Sequence, residues 1–306
     1  MRVHEAVEKL GYVADGAARA LASRRSHTIG AVIPSLENAI FATTVFAMQK
    51  VLDANGYSLV VSCNEYDLDT EVRLTRKLIE RGVDALVLVG TQHRPELFGM
   101  LERFRVPYVF TWAYDESETF PCVGFNHRKA TARVTRHLID EGHRHFAVIS
   151  TITRDNERAR DRLAGVLDLL DSEGLRPSAD RVIEKPFSFL EGQSALQRVM
   201  QGEPKPSAVI CLNDVLAIGA ISAARAMGLN IPGDVSITGC EDLEVAAVVS
   251  PGLTTVRYPT VEMGHYAGEY VLAALTGRTV PVRQVFPTKL IVRGSTCPPA
   301  SREQDG

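Results

Sequence analysis

The sequence predicts an α/β fold arranged as two similar lobes, on three observations. Short β-branched runs alternate with amphipathic stretches of a dozen or more residues, the pattern of parallel strands joined by crossover helices. The runs fall into two consecutive sets of about four, each spanning roughly 100 residues, which suits two domains better than one wide sheet. With 306 residues and 45% hydrophobic content, the chain can bury one large or two medium cores.

Two different pieces precede the first strand. Val3, Ala6, Val7 and Leu10 share one face of a short helix that Gly11 ends, and Asp15 is placed to N-cap an alanine-rich segment over 16–23. Isolated helices under about 12 to 15 residues are marginal in water, so the second needs a partner. Strand 29–33 follows, then a helix in which Val45, Met48, Val51 and Leu52 recur at helical spacing until Asn55-Gly56 stops it. The remaining strands are expected at 58–62, 85–89, 108–111, 147–150, 181–184, 208–212 and 235–239. The remaining helices are expected at 71–81, 129–141, 160–173, 215–227 and 261–275. In open α/β sheets ligands sit outside the carboxyl ends of the strands, so two facing lobes collect those ends in one cleft.

Composition excludes several functions. The net charge of −3 argues against a whole surface built for nucleic acid, although Arg19, Arg24 and Arg25 form a basic stretch without acidic residues over 16–27. No apolar run approaches the roughly 20 residues needed to cross a bilayer. Arg2, Glu5, Glu8 and Lys9 interrupt the N-terminus, which lacks a secretory core, so a cytoplasmic location is expected. Cys63, Cys122, Cys211, Cys240 and Cys297 are scattered without metal-ligand spacing and are read as buried free thiols. Nucleotide-binding glycine loops, the G-x-S-x-G elbow and H-E-x-x-H are absent, so neither an enzyme nor a cofactor is expected. His137, His143 and His145 cluster near a helix end and are read as structural, with no metal.

Four runs carry a family resemblance: residues 2–34, HLIDEGHRHFAVIS at 137–150, RLAGV at 162–166, and AVICLNDVLAIGAISAARAMGLNIPGDVSITGCED through PGLTTVRYP at 208–259. Together they resemble the LacI/GalR regulators from the end of the DNA-binding headpiece to the second lobe. The resemblance implies a two-lobed core of the periplasmic-binding-protein type I kind, crossed three times near Phe125, Val256 and Val285. It divides the chain into a headpiece remnant and hinge (1–27), an N-terminal lobe (28–125 with 257–285), a C-terminal lobe (126–256 with 286–296) and a tail (297–306). It implies a repressor whose cleft binds a small polar effector (sugar, sugar acid or nucleobase-like) and controls operator binding as a homodimer or tetramer. The alternative is a periplasmic-type sugar-binding protein without a DNA role. Such a protein needs a signal sequence and has no use for a hinge.

By resemblance, Arg162 holds effector oxygens with its rigid fork of donors, and Asn213 offers an amide at a strand end. Asp214 is expected to cap the next helix instead. Glu241 stands where the family usually has Asp, and Trp112 at an often acidic position. Ile40, Phe41 and Phe187 match residues that pack on the ligand in a purine-sensing member, with core packing as the alternative. Asn126 is either a ligand contact or a crossover turn. Arg154, Arg158 and Arg160 are read as surface charges. Ile218 and Val249 match dimer contacts, with intramolecular packing as the alternative. Ala18, Arg19 and Leu21 fall on the hinge, where the family leucine wedges into the minor groove, a kink offset by added contacts. Family members carry about three headpiece helices and only the last is visible here, so specific base readout requires a full headpiece. Ala14-Asp15 replaces the family's usual Pro-Asn, and a negative charge near phosphates is unfavourable.

Overall fold

In the computed structural model of the chain, residues 25–114, 116 and 119–300 are described. Strands β1 (Thr28–Ile33), β2 (Ser58–Cys63), β3 (Ala85–Val89), β4 (Tyr108–Thr111) and β5 (Cys122–Gly124) build the first sheet, together with β11 (Arg283–Val285). All pairs in it are parallel, in the order β11-β5-β4-β3-β1-β2. Strands β6 (Phe146–Thr151), β7 (Val182–Lys185), β8 (Ala208–Cys211) and β9 (Ser236–Thr238) form a second parallel sheet in the order β7-β6-β8-β9. Helices α1 (Ala39–Asp53), α2 (Leu68–Glu80) and α3 (Pro95–Phe104) belong to the first sheet. Around the second lie α4 (His127–Asp140), α5 (Glu157–Ser172), α6 (Phe189–Val199), α7 (Asp214–Ala226) and the short α8 (Glu244–Val248). The chain leaves the second sheet through β10 (Thr255–Arg257), returns along α9 (Thr260–Leu275) to pack against α1, and crosses back through β12 (Lys289–Ile291). An antiparallel β10-β12 ribbon thus joins two of the three crossings, and the third runs from β5 into α4.

The period-two alternation of the strands sorts their side chains between layers. Ile29, Ala31 and Ile33 of β1 and Ala85, Val87 and Val89 of β3 face α1 and α9, whereas Val32, Leu86 and Leu88 join Leu78, Leu97 and Leu101 of α2 and α3 on the other side. In the second sheet Ala208 and Ile210 share a core with Val134, Leu138, Val166 and Leu170 of α4 and α5, and Val209 and Cys211 point to α6 and α7. One apolar core therefore runs through both lobes, continuous across Trp112, Phe125, Val256 and Tyr258. The α6–α7 pair packs close because of Gly192 and Gly219. A Cβ on either would overlap a backbone carbonyl of the opposite helix, of Leu216 or of Phe189 respectively.

All eight expected strands are present within a few residues of their expected bounds. Helix α2 starts at Leu68 and α5 at Glu157, both earlier than expected, because Asp67 and Asn156 supply side-chain caps to Thr70 N and Ala159 N. Arg181 ends a single 3₁₀ turn (Ala179–Arg181) rather than opening β7. Helices α3, α6 and α8 and the three-residue strands β5, β10, β11 and β12 are additions. Cys122, Cys211 and Cys240 are buried as expected of free thiols, whereas Cys63 and Cys297 are only partly so.

Candidate functional site

Three strands of the two sheets, β1, β6 and β8, are each followed by a loop whose asparagine caps the next helix. Asn38 Oδ1 accepts from Ile40 N at 3.2 Å, Asn156 Oδ1 from Ala159 N at 3.2 Å, and Asn213 Oδ1 from Leu216 N at 2.8 Å. Parallel strands place their carboxyl ends and the following helix N-termini on the same side, so all three caps converge on the cleft. They line one narrow cavity between the lobes, with only about 20 Å³ of free space, room for about one water molecule. The first lobe adds Ile40, Phe41, Tyr66 and Trp112 to its walls, and the second adds Thr151, Arg158, Arg162, Phe187 and Glu241. Tyr66, Thr151, Asn156 and Phe187 also line a wider groove with Glu65, Arg154 and Asp155 at its rim.

One wall is aromatic. Phe41 meets Trp112 edge-on with ring centroids 5.2 Å apart, and Trp112 in turn meets Phe125 and Tyr258. Trp112 holds a left-handed backbone conformation (φ +58), and His127 Nε2 donates to its carbonyl at 3.0 Å. Burial first, and the charge of Arg162 second, hold the His127 imidazole well below its usual range, so it remains neutral. Tyr66 and Glu241 also have positive φ, at +63 and +126. Left-handed backbone at non-glycine residues is uncommon and costly, and it gathers at sites that neighbouring structure holds in place.

The opposite wall is polar and incompletely satisfied. Arg162 Nε, Asn213 Nδ2 and Glu241 Oε2 are buried without a hydrogen-bond partner. A buried unpaired polar atom costs about 1–3 kcal/mol, so three around one cavity mark a place where something else completes them. Glu241 is 6% exposed, and burial together with the nearby Asp214 carboxylate pushes its carboxyl up to about 8, against the opposing pull of Arg162 and a hydrogen bond from Asn38. Asp214 is itself buried. Burial raises it to about 6, while bonds from Thr255 Oγ1 (2.6 Å) and Leu243 N (2.8 Å) oppose the shift.

Around the cavity the lobes touch through the start of α5. Thr91 N donates to Glu157 Oε1 at 2.8 Å, Arg158 Nη1 donates to the Val89 carbonyl at 3.3 Å and to Glu157 Oε1 at 3.0 Å, and Arg160 donates to Gln92. Gly90 lies under this contact at φ +92, and a Cβ there would overlap both Arg158 Nη1 and Glu157 Oε1.

Of the eight residues expected at the ligand, the structure brings seven into the cavity: Ile40, Phe41, Trp112, Arg162, Phe187, Asn213 and Glu241. Asn126 is not among them. It caps α4, accepting from Lys129 N at 2.9 Å. Arg158, expected as a surface charge, is buried in the cavity wall, because it lies one helical turn from Arg162 on the same face of α5. Asp214 does not cap α7. Asn213 does, and the Asp214 carboxylate reaches back to β10. Asn38, Tyr66, Thr151 and Asn156 were not foreseen, although the strand–Asn–helix pattern that marked Asn213 also marks Asn38 and Asn156. Ile218 and Val249 are partly buried against the α6–α7 core. Ala18, Arg19 and Leu21 lie outside the described residues. Among the described residues no group of side chains could hold a metal ion, and no helix is long and apolar enough to cross a membrane.

Two parallel α/β lobes, three crossings and a polar cavity at facing strand ends define a periplasmic-binding-protein-like ligand core. Residues 135–296 match the periplasmic binding protein-like domain family. The chain is 31% identical over 273 residues to the HTH-type transcriptional repressor PurR of Aliivibrio salmonicida, covering 89% of this chain and 81% of that protein. The solved transcription regulator GntR from Chromobacterium violaceum superposes with a TM-score of 0.84 at 30% identity, covering 88% of this chain and 99% of that one. The lac repressor dimer bound to operator and an anti-inducer gives 0.86 at 26% identity, covering 96% and 89%. The chain belongs to the LacI family of transcriptional regulators.

Proposed function

We propose that this protein is a transcriptional repressor whose inter-lobe cavity binds a small polar effector, and that occupancy of the cavity changes its affinity for operator DNA. The observation that carries this reading is the trio of buried, unpartnered atoms on Arg162, Asn213 and Glu241 around one cavity. Ile40, Phe41, Trp112 and Phe187 supply the apolar walls, and Asn38, Tyr66 and Arg158 are added to the site. The lobes are taken as 28–125 with 257–285 and 126–256 with 286–296. A ligand touching both lobes favours the arrangement in which the Glu157–Thr91 and Arg158–Val89 contacts are made, and so shifts the population toward it. In a homodimer joined through the region of Ile218 and Val249, that shift alters the spacing of two hinges carrying Ala18, Arg19 and Leu21. Coupling of about 1–3 kcal/mol corresponds to roughly 5- to 150-fold in operator affinity.

A thermal-shift screen against sugars, sugar acids and nucleobases tests the first half, because a ligand selective for the native state raises its melting temperature. A gel-shift titration of operator DNA with and without the ligand tests the second. Equal operator affinity in both titrations refutes the coupling. Sedimentation tests the dimer, and Val248→Arg, at a 77% exposed position beside Val249, is expected to yield monomer with an unchanged melting temperature.

A further inference from the structure

The segment that follows β3 makes the closing contact with α5, yet residues 90–94 have no regular secondary structure of their own. A buried pair within the first lobe holds them. Helix α2 buries Leu68, Glu71, Thr75 and Leu78 along one face, so a carboxylate stands in an otherwise uncharged stripe. Such a group is costly to bury unless it is paired. Glu71 Oε2 meets His93 Nδ1 at 2.8 Å, with the two side chains 2% and 0% exposed, and His93 Nε2 donates to the Gly90 carbonyl at 3.1 Å. The carbonyl can only accept, so Nε2 carries a hydrogen and Nδ1 is left for Glu71. The imidazole is stacked on Phe110 of β4, centroids 4.3 Å apart, and meets Phe98 of α3 edge-on. One residue on, Arg94 makes two parallel bonds to Asp69 of the same helix, Nε to Oδ1 at 2.9 Å and Nη2 to Oδ2 at 3.1 Å. Thus α2 grips positions 93 and 94, while Val89, Thr91 and Gln92 just before them bond Arg158, Glu157 and Arg160 of α5. The chain enters α2 through Tyr66 of the cavity wall and the cap Asp67.

Building on the closure reading above, we infer that His93 and Glu71 are positioning residues, a brace that presets the segment 89–92 for α5 and so determines how firmly the lobes close. Neither residue lines the cavity. A loop without such a brace would lose conformational freedom each time the lobes met, and that cost would be subtracted from the closing contact. A loop held beforehand has already borne it within the first lobe. The brace also ties the Tyr66 end of α2 and the closing segment into one unit, so the cavity wall and the lobe contact move together.

Native-state hydrogen exchange on the full chain tests this without any ligand, because the Thr91 N–H is itself the donor to Glu157 and its protection reports how often the contact opens. Glu71→Leu fills the apolar stripe but leaves Nδ1 unbonded. His93→Phe keeps a ring against Phe110 and removes both bonds. In each, Thr91 should exchange about tenfold or more faster, while the amides of β3 keep their protection. Glu71→Gln should restore most of the protection, since its amide can donate to Nδ1 while Nε2 still donates to Gly90. In a Glu157→Ala background, where the acceptor is gone, Glu71→Leu should add nothing further at Thr91. Thr91 exchange that stays slow in both Glu71→Leu and His93→Phe overturns the brace and leaves the closing contact standing. A rise shared equally by Thr91 and the β3 amides also overturns it, because the pair then only stabilises the first lobe. Thr91 exchange unchanged by Glu157→Ala overturns the closure reading together with the brace, since the contact is then not made in solution.

Discussion

Substituting Gly90 by alanine tests whether the lobes close through the contact at the start of α5. The residue sits at φ +92, where an L side chain costs about 1–3 kcal/mol in backbone strain. The added methyl also overlaps Arg158 Nη1 and Glu157 Oε1. Those are ends of flexible side chains, so the overlap itself can be relieved by their moving. Moving them breaks the Thr91–Glu157 bond of 2.8 Å and the Arg158–Val89 bond of 3.3 Å, and a hydrogen bond to a charged group contributes about 1.5–3 kcal/mol. The strain falls on the first lobe whether the cleft is open or closed, whereas the lost bonds penalise only the closed arrangement. Effector affinity should therefore fall by about tenfold or more, measured by calorimetry, since the bound state loses about 1.5 kcal/mol or more relative to the open one. A cycle with Glu157→Ala separates the two costs. With the carboxylate gone, alanine at position 90 should still cost its backbone strain and the Arg158–Val89 bond but no longer the Thr91–Glu157 bond, leaving a coupling of about 1 kcal/mol or more. Equal effects of Gly90→Ala on ligand affinity in both backgrounds would refute closure through this contact.

Two further outcomes follow from buried charge. The Glu241 carboxyl, raised to about 8 against an ordinary unfolded value near 4.5, holds a proton in the folded protein through the window between those values. The folded state then binds more protons than the unfolded one, so stability falls as pH rises from about 4.5 to 8. Glu241→Gln should flatten that part of the melting profile and raise the melting temperature of the ligand-free protein at pH 8, with little change at pH 4.5. An unchanged profile would count against it. At the β10–β12 ribbon, the buried Asp242 carboxylate bonds Arg293 Nη2 and Arg257 Nε, both at 2.6 Å. Arg257 is more than half exposed and Arg293 largely covered, so Arg293→Met should leave Asp242 poorly compensated and cost about 3 kcal/mol in urea denaturation. A loss below about 0.5 kcal/mol would place the pair among surface bridges of little weight.

The parts of the fold legible in the sequence were those with enough length to show a period. Strands such as 85–89 and 208–212 are continuous apolar runs because helices cover both faces, and the helix 261–275 repeats its apolar positions over several turns. Strands β5, β10, β11 and β12 have three residues each, too few for any alternation, and three of them lie where the chain crosses between lobes. Helices α3 and α6 carry Gly99 and Gly192 inside them, which weakens the helical signal that Pro95 and Ser188 otherwise open. At the site, resemblance located Arg162, Asn213 and Glu241. Arg158 was misread because charge alone says nothing of burial, yet its spacing of four from Arg162 already put both on one face of the helix. Tyr66 enters through a left-handed backbone in a loop, and nothing in a Tyr between Glu65 and Asp67 announces that. Asn126, left open between a ligand contact and a crossover turn, shows the limit of the same pattern. It follows a strand and precedes a helix as Asn38, Asn156 and Asn213 do, but its cap opens α4, whose N-terminus lies outside the cavity wall.

The chain contains a single tryptophan, Trp112, and it lines the cavity. Its emission therefore reports on the proposed effector site without any label. Titration of the unaltered protein with a ligand that raises its melting temperature should change Trp112 fluorescence saturably, at one ligand per chain, and with the same affinity that calorimetry gives. Arg162→Gln should shift that curve to higher ligand concentration. A ligand that stabilises the protein while leaving Trp112 emission unchanged, and whose affinity ignores Arg162, would show that the effector binds somewhere other than the cleft.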